Sequence, residues 1–158
     1  MLQLIKALEP KQYQPRIYMM ADSDILSEEK AIEHESTLTE GIFELYKIPR
    51  ARQVGQPWKS VPWTVFLALL TSLKVMMNTF PDLIICNGPG SCVPICLLAY
   101  LPRIFGIKKI EIIYIESFAR VNSLSLTGKL LYRFVDRFLV QWPELNRLDR
   151  AEYKGILV

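Results

Sequence analysis

At 158 residues, with 51% hydrophobic side chains and a mean hydropathy of +0.18, the chain has the size of one domain and can bury a sizeable core. Its 19 basic and 16 acidic residues give a net charge of +3 and are scattered apart from Lys108-Lys109, so nucleic acid is not an expected partner. The three cysteines and the single histidine lack the count and paired spacing of a zinc site, so reduced thiols, no metal and no cofactor are expected.

In chain order, Met1 to Leu8 carries apolar residues at Leu2, Ile5 and Leu8, a helical spacing that stops before Pro10. It is too short for a signal peptide and already holds Lys6. Arg16 to Met20 reads as a strand, followed by the acidic turn Ala21 to Asp24. Ser27 to Glu35 reads as a charged helix with His34 on a solvated face, and Phe43 to Ile48 as a strand closed by Pro49. The segment from Pro49 to Pro62 is a loop.

Val61 to Met77 is the longest apolar stretch, and it holds Lys74 among serine and threonine. It is shorter than the roughly 20 uncharged residues of a spanning helix. Two readings stand: a core helix, or an amphipathic helix lying in a membrane interface with Trp58 and Trp63 at its entrance. On the second reading Trp63, Phe66, Leu67 and Leu70 lie near the membrane, and the segment rests on the surface rather than crossing it.

Leu83 to Cys86 has no polar alternation, as in a strand buried on both faces of a parallel sheet. Asn87-Gly88-Pro89-Gly90-Ser91 is then a tight turn, with Ser91 positioned to cap a helix running to about Phe105 and Pro94 near its start. Strand, glycine turn and helix N-terminus together can bind a phosphate, although a plain connection fits the same residues. Lys109 to Ile115 is a strand leading to Glu116-Ser117, and Ser125 to Asp136 is helical with Ser125 or Thr127 as cap. Phe138 to Trp142 reads as a short strand, Glu144 to Arg150 as a helical turn, and Gly155 to Val158 as strand-like. The alternation predicts a single α/β domain over residues 1–158 with a mostly parallel sheet.

The dinucleotide fingerprint fails, because Val93 stands where Gly88-x-Gly90 would require a third glycine. Asp22 and Asp24 read as a solvated turn, and His34 offers no Ser-His-Asp set. Two strand-end groups remain: Asn87 to Ser91, and Glu116-Ser117 with Arg120. In an open parallel sheet such ends face one ligand crevice, where Arg120 would meet a diphosphate; a structural Glu116–Arg120 ion pair is the alternative.

The segments PDLIICNGPGSCVPI, IPRARQV, IYIESFARVNSLSLTGKLLY and DRFLVQWPEL, with ADSD before them, resemble in matching order the asparagine-linked glycosylation protein fourteen family. That resemblance covers nearly the whole chain. It implies a membrane-anchored subunit of the UDP-N-acetylglucosaminyltransferase that adds the second sugar to dolichyl diphosphate. The implied fold is the Rossmann-like, acceptor-side half of a split GT-B glycosyltransferase, similar to the bacterial enzyme that glycosylates the lipid-linked peptidoglycan precursor.

On that resemblance Asn87, Gly88, Pro89, Gly90 and Ser91 form the family's second glycine loop, near the acceptor diphosphate. Glu116 and Ser117, with Arg120 beyond them, match its Glu-Ser pair at the same cleft, and Glu116 becomes the candidate catalytic residue. The implied partners are a soluble subunit that binds UDP-GlcNAc, the dolichyl-diphosphate-linked GlcNAc acceptor, and the cytosolic surface of the endoplasmic reticulum membrane. The tail Ile156-Leu157-Val158 falls where the family contacts its catalytic partner. The family's N-terminal membrane helix, first strand and Gly-Gly-His loop precede the segment matching Met1 to Leu8, so this chain is expected to lack them. A rival reading is an anchoring or scaffold protein without an active-site role.

Overall fold

The computed structural model describes residues 2–6, 8–38, 41–50, 57, 61–88, 90–145 and 147–155. Trp58, Pro89 and the tail Ile156 to Val158, all named above, lie outside the described residues. The chain divides into two compact units, Met1–Pro49 and Arg50–Leu157.

The first unit holds α1 (Leu2–Ile5), β1 (Arg16–Ala21), α2 (Ile25–Ser36) and β2 (Phe43–Ile48). β1 and β2 pair in parallel from Arg16 opposite Phe43 to Ala21 opposite Ile48, with α2 as the crossover. The helix starts earlier than its sequence pattern suggests. Asp24 is a true N-cap, accepting from the Ser27 N–H at 3.2 Å and from the Ser27 hydroxyl at 2.8 Å. The expected solvated Asp24 therefore has a structural duty.

The buried stripe of α2 is Ala31, His34 and Glu35, so His34 is buried rather than solvated. Its i+3 spacing from Ala31 puts it on the inward face. Beside it Arg16 donates to both Glu35 carboxylate oxygens at 2.8 and 2.7 Å, and the Tyr18 hydroxyl donates to Oε1 at 2.5 Å. Arg16 also reaches the Pro10 carbonyl at 3.0 Å, so one guanidinium ties β1, α2 and the preceding loop.

The second unit contains α3 (Val61–Thr79), β3 (Leu83–Asn87), α4 (Cys92–Ile104), β4 (Glu111–Ile115), α5 (Leu126–Leu131), β5 (Arg137–Val140) and β6 (Ala151–Tyr153). Its four strands are all parallel and ordered β3-β4-β5-β6, as successive crossovers dictate. β4 and β5 each lie between two strands: Ile112, Tyr114 and Ile115 of β4 and Phe138 and Val140 of β5 are buried, with the Tyr114 and Phe138 rings 5.0 Å apart. β3 falls short of the expected burial on both faces. Leu83, Ile84 and Ile85 are half-buried because β3 ends this sheet, and Cys86 is buried.

Helix α3 packs on α4 through the stripe Ala68, Ser72, Val75 and Met76. Its other side is open: Trp63, Phe66, Leu67, Leu70, Leu73 and Met77 are exposed, and the Trp63 and Phe66 rings stack at 5.8 Å. By length and composition it is long and apolar enough to cross a membrane, yet only 22% of its most apolar window is buried. That share does not fit a fully enclosed core helix.

The C-terminal elements differ most from the sequence pattern. α5 stops at Leu131, five residues before Asp136. The Asp136 carboxylate instead accepts from Arg103 at 2.8 Å and from the Ile112 N–H at 3.1 Å, which holds the entry to β5 against α4 and β4. Among the described residues of the expected turn only Glu144 and Leu145 are helical, within the 3₁₀ turn Pro143–Leu145. β6 lies at Ala151–Tyr153, between that turn and the segment expected to be strand-like.

Candidate functional site

The carboxyl ends of β3, β4 and β5 carry Asn87, Glu116 and Gln141. β3 delivers the chain into Gly88, whose φ of +71° is a left-handed conformation that favours glycine. A Cβ built there would stand 3.7 Å from the Ser117 Cβ. The two strand-end groups expected to share a crevice therefore meet, at Gly88 and Ser117.

Ser91 does not cap α4. It has helical dihedrals, φ −65° and ψ −17°, and its side chain makes no cap hydrogen bond. The sequence supplies the reason. The third helical position, whose N–H a capping hydroxyl commonly takes, is Pro94, which has none, and the Val93 N–H goes to the Gly90 carbonyl at 3.2 Å. Ser125 is the cap of α5, accepting from the Gly128 N–H at 2.9 Å.

Glu116 is fully buried. Its carboxylate accepts from the Ser117 N–H at 2.8 Å, the Ser125 N–H at 3.0 Å and the Ser125 hydroxyl at 3.1 Å. The Ser125 oxygen lies in turn 3.1 Å from the Tyr114 hydroxyl. Glu116 thus clasps the loop 117–125 to the start of α5, which gives its carboxylate a structural duty. Arg120 is exposed, and no Glu116–Arg120 ion pair forms among the described residues, so that alternative is not realised.

Sequence reasoning missed two residues here. Gln141 is buried and donates its amide to the Glu116 carbonyl at 2.9 Å, while its own side-chain oxygen has no hydrogen-bond partner among the described residues. Trp142 donates its indole N–H to the Phe118 carbonyl at 2.6 Å, with the two rings 5.0 Å apart. The readable signal was position: both residues directly follow a strand end, the ligand side of an open α/β sheet. Behind the glycine turn the three cysteines are free and buried, with the Cys86 and Cys96 sulfurs 3.5 Å apart. Hydrogen bonding to Cys92 and Cys96, with burial, holds the Cys86 thiol well above its ordinary range. Among the described residues no group of three or more His, Cys, Asp or Glu is placed to hold a metal ion.

Parallel strands alternating with helices, with a glycine turn and polar groups at the strand ends, define a Rossmann-like α/β protein of the kind that builds half of a GT-B glycosyltransferase. The solved structure of MurG from Acinetobacter baumannii has this fold: the TM-score is 0.66 over 98% of this chain and 40% of MurG, at 14% identity. The chain belongs to the family described as oligosaccharide biosynthesis protein Alg14 like, whose model matches residues 1–157. The relative from Schizosaccharomyces pombe, named UDP-N-acetylglucosamine transferase subunit alg14, is 50% identical over 99% of this chain and 76% of its own length. The mouse and human proteins of the same name are 41% and 40% identical, each over 92% of this chain and 71% of the relative.

Proposed function

We propose that this chain is the acceptor-side subunit of a UDP-GlcNAc transferase that adds the second GlcNAc to a GlcNAc-diphosphate-dolichol acceptor. Family membership supports the enzyme class. The approach of Gly88 to Ser117 at the sheet's carboxyl edge is the observation that supports an acceptor site on this chain. The chemistry is an inverting displacement. An acceptor hydroxyl attacks the anomeric carbon of UDP-GlcNAc, held mainly by the partner subunit, and UDP leaves. Backbone N–H groups of the glycine turn face the acceptor diphosphate, and Arg120 supplies charge beside them. Asn87, Pro89, Gly90 and Ser91 complete the turn, and the tail Ile156-Leu157-Val158 docks the partner.

Co-expressing the chain with its donor-binding partner and assaying GlcNAc transfer to a dolichyl diphosphate acceptor tests this reading. Replacing Gly88 and Gly90 together by alanine is expected to reduce transfer at least tenfold while the partner still co-purifies. Deleting 156–158 is expected to abolish that co-purification. Unchanged transfer by the double variant would remove the turn from the mechanism.

The exposed apolar face of α3 supports a place at the cytosolic surface of the endoplasmic reticulum membrane, with Trp63, Phe66, Leu67 and Leu70 toward lipid and Trp58 at the entrance. Lys74 makes a crossing costly, by about 2.5–3.5 kcal/mol on insertion scales. A glycosylation tag placed just after Met77 should stay unmodified, and its modification in the lumen would establish a span. The same face favours the anchoring reading, which the Gly88/Gly90 variant separates from a catalytic one.

A further inference from the structure

Phe118 occupies an unusual position for an apolar ring. It is the second residue of the turn from Ser117 to Arg120, which the Arg120 N–H closes onto the Ser117 carbonyl at 3.0 Å, and its side chain is 45% exposed. A single exposed phenylalanine is ordinary. This one is held rigidly: its carbonyl accepts from the Trp142 indole at 2.6 Å, and the two rings tilt at 42° with centroids 5.0 Å apart. Neither ring is enclosed in the core.

Place in the sheet gives the pair its meaning. Ile115 pairs with Leu139, and the chain runs three residues beyond each partner to reach Phe118 and Trp142. Both rings therefore stand at the carboxyl ends of adjacent parallel strands. Phe118 directly follows Ser117, the residue against which Gly88 turns, and the exposed Arg120 lies two positions on. One rim thus brings together the glycine turn, a cation and an aromatic surface. A sugar joined to a diphosphate presents the matching sequence of groups. Its anion faces N–H groups and charge, and the C–H-bearing face of its pyranose packs on the electron-rich face of an aromatic ring.

We propose that Phe118, braced by Trp142, is the shelf on which the acceptor's N-acetylglucosamine ring lies, next to the diphosphate bound at the Gly88–Ser117 rim. This rests on the acceptor-site reading above and adds the group that holds the sugar. Phe118 contacts substrate; Trp142 positions it.

The test uses the assembled transferase with Phe118→Ala and the conservative Phe118→Trp. For Phe118→Ala the acceptor KM is expected to rise about fivefold to tenfold. The donor KM and kcat should stay within about twofold, a pattern of lost ground-state and transition-state binding alike, and Phe118→Trp should restore the acceptor KM. A sugar-free polyisoprenyl diphosphate competitor separates sugar from lipid: its inhibition constant should not change. An unchanged acceptor KM would overturn the shelf, and an equal loss for the sugar-free competitor would make the pair a lipid contact instead. Binding is also read without turnover, from Trp142 fluorescence in a chain with Trp58 and Trp63 replaced by phenylalanine. If that titration responds to the sugar-bearing lipid but wild-type protein transfers nothing, the transferase reading fails and the shelf stands. No response to the lipid would overturn the shelf itself.

Discussion

Truncating Glu116 to alanine is expected to destabilise the second unit by roughly 2–6 kcal/mol, read from the midpoint of denaturant unfolding. The carboxylate satisfies two backbone donors, Ser117 N–H and Ser125 N–H, and the Ser125 hydroxyl. Each buried donor left without a partner costs about 1–3 kcal/mol. Glu116→Gln preserves volume but offers one oxygen and an amide donor where two oxygens accept, so a smaller loss of about 1–3 kcal/mol is expected. Gly128→Ala approaches the same clasp from the other side, since a methyl there would overlap a Glu116 carboxylate oxygen and crowd the Ser125 hydroxyl. That variant should share the instability. The decisive comparison is transfer per folded molecule. If Glu116 acts through structure, Glu116→Gln keeps most of its turnover below its melting temperature. A turnover collapse in a fully folded Glu116→Gln enzyme would restore it as a catalytic acid or base.

That distinction explains how much of the site could be read in sequence. Strand and helix alternation was legible, because apolar runs such as Ile112 to Ile115 and the spacing along Val61 to Met77 report local periodicity. The glycine turn was equally visible. The fate of Glu116 was not, for its distant partner Ser125 lies nine residues on and its close neighbour Gly128 twelve, and only the folded loop brings them to it. Position after a strand raises the chance of a functional carboxylate without saying whether the side chain faces the crevice or the core. Ser91 illustrates the opposite case: a residue type that favours capping is disarmed by Pro94, a conflict the sequence contained. β6 escaped because Ala151-Glu152-Tyr153 has neither length nor an apolar run, and only its pairing with β5 defines it. Phe118 and Trp142 drew no attention separately, since their meaning comes from adjacent strand ends 24 residues apart in the chain.

Replacing Arg16 by alanine is expected to cost the first unit about 3–5 kcal/mol, the range for removing one partner of a buried ion pair. The pair is buried at both ends, with side-chain exposures of 9% for Arg16 and 2% for Glu35. Removing the guanidinium leaves the Glu35 carboxylate enclosed with only the Tyr18 hydroxyl as a described side-chain donor, and leaves the Pro10 carbonyl with the Gln14 amide alone, at 3.2 Å. Arg16→Lys keeps the charge but loses the two-pronged geometry, so a loss of about 1–3 kcal/mol is expected. The sign of the pH dependence follows from Glu35. Its hydrogen bonds from Arg16 outweigh burial and hold its pKa below the ordinary 4.5, with Tyr18 adding to the shift. A depressed carboxylate pKa means the unfolded chain takes up protons first as pH falls. The stabilisation is therefore fully present above about pH 4.5 and is lost as pH drops through the folded value. Glu35→Gln, uncharged throughout, should flatten the acid limb of the stability–pH curve while lowering the neutral plateau. The check is denaturant unfolding of the full chain from pH 7 down to about pH 3, followed by a probe in the first unit such as Tyr18. If the wild type and Glu35→Gln lose stability in parallel on acidification, other carboxylates govern the acid limb and the Arg16–Glu35 clamp is weaker than its geometry implies.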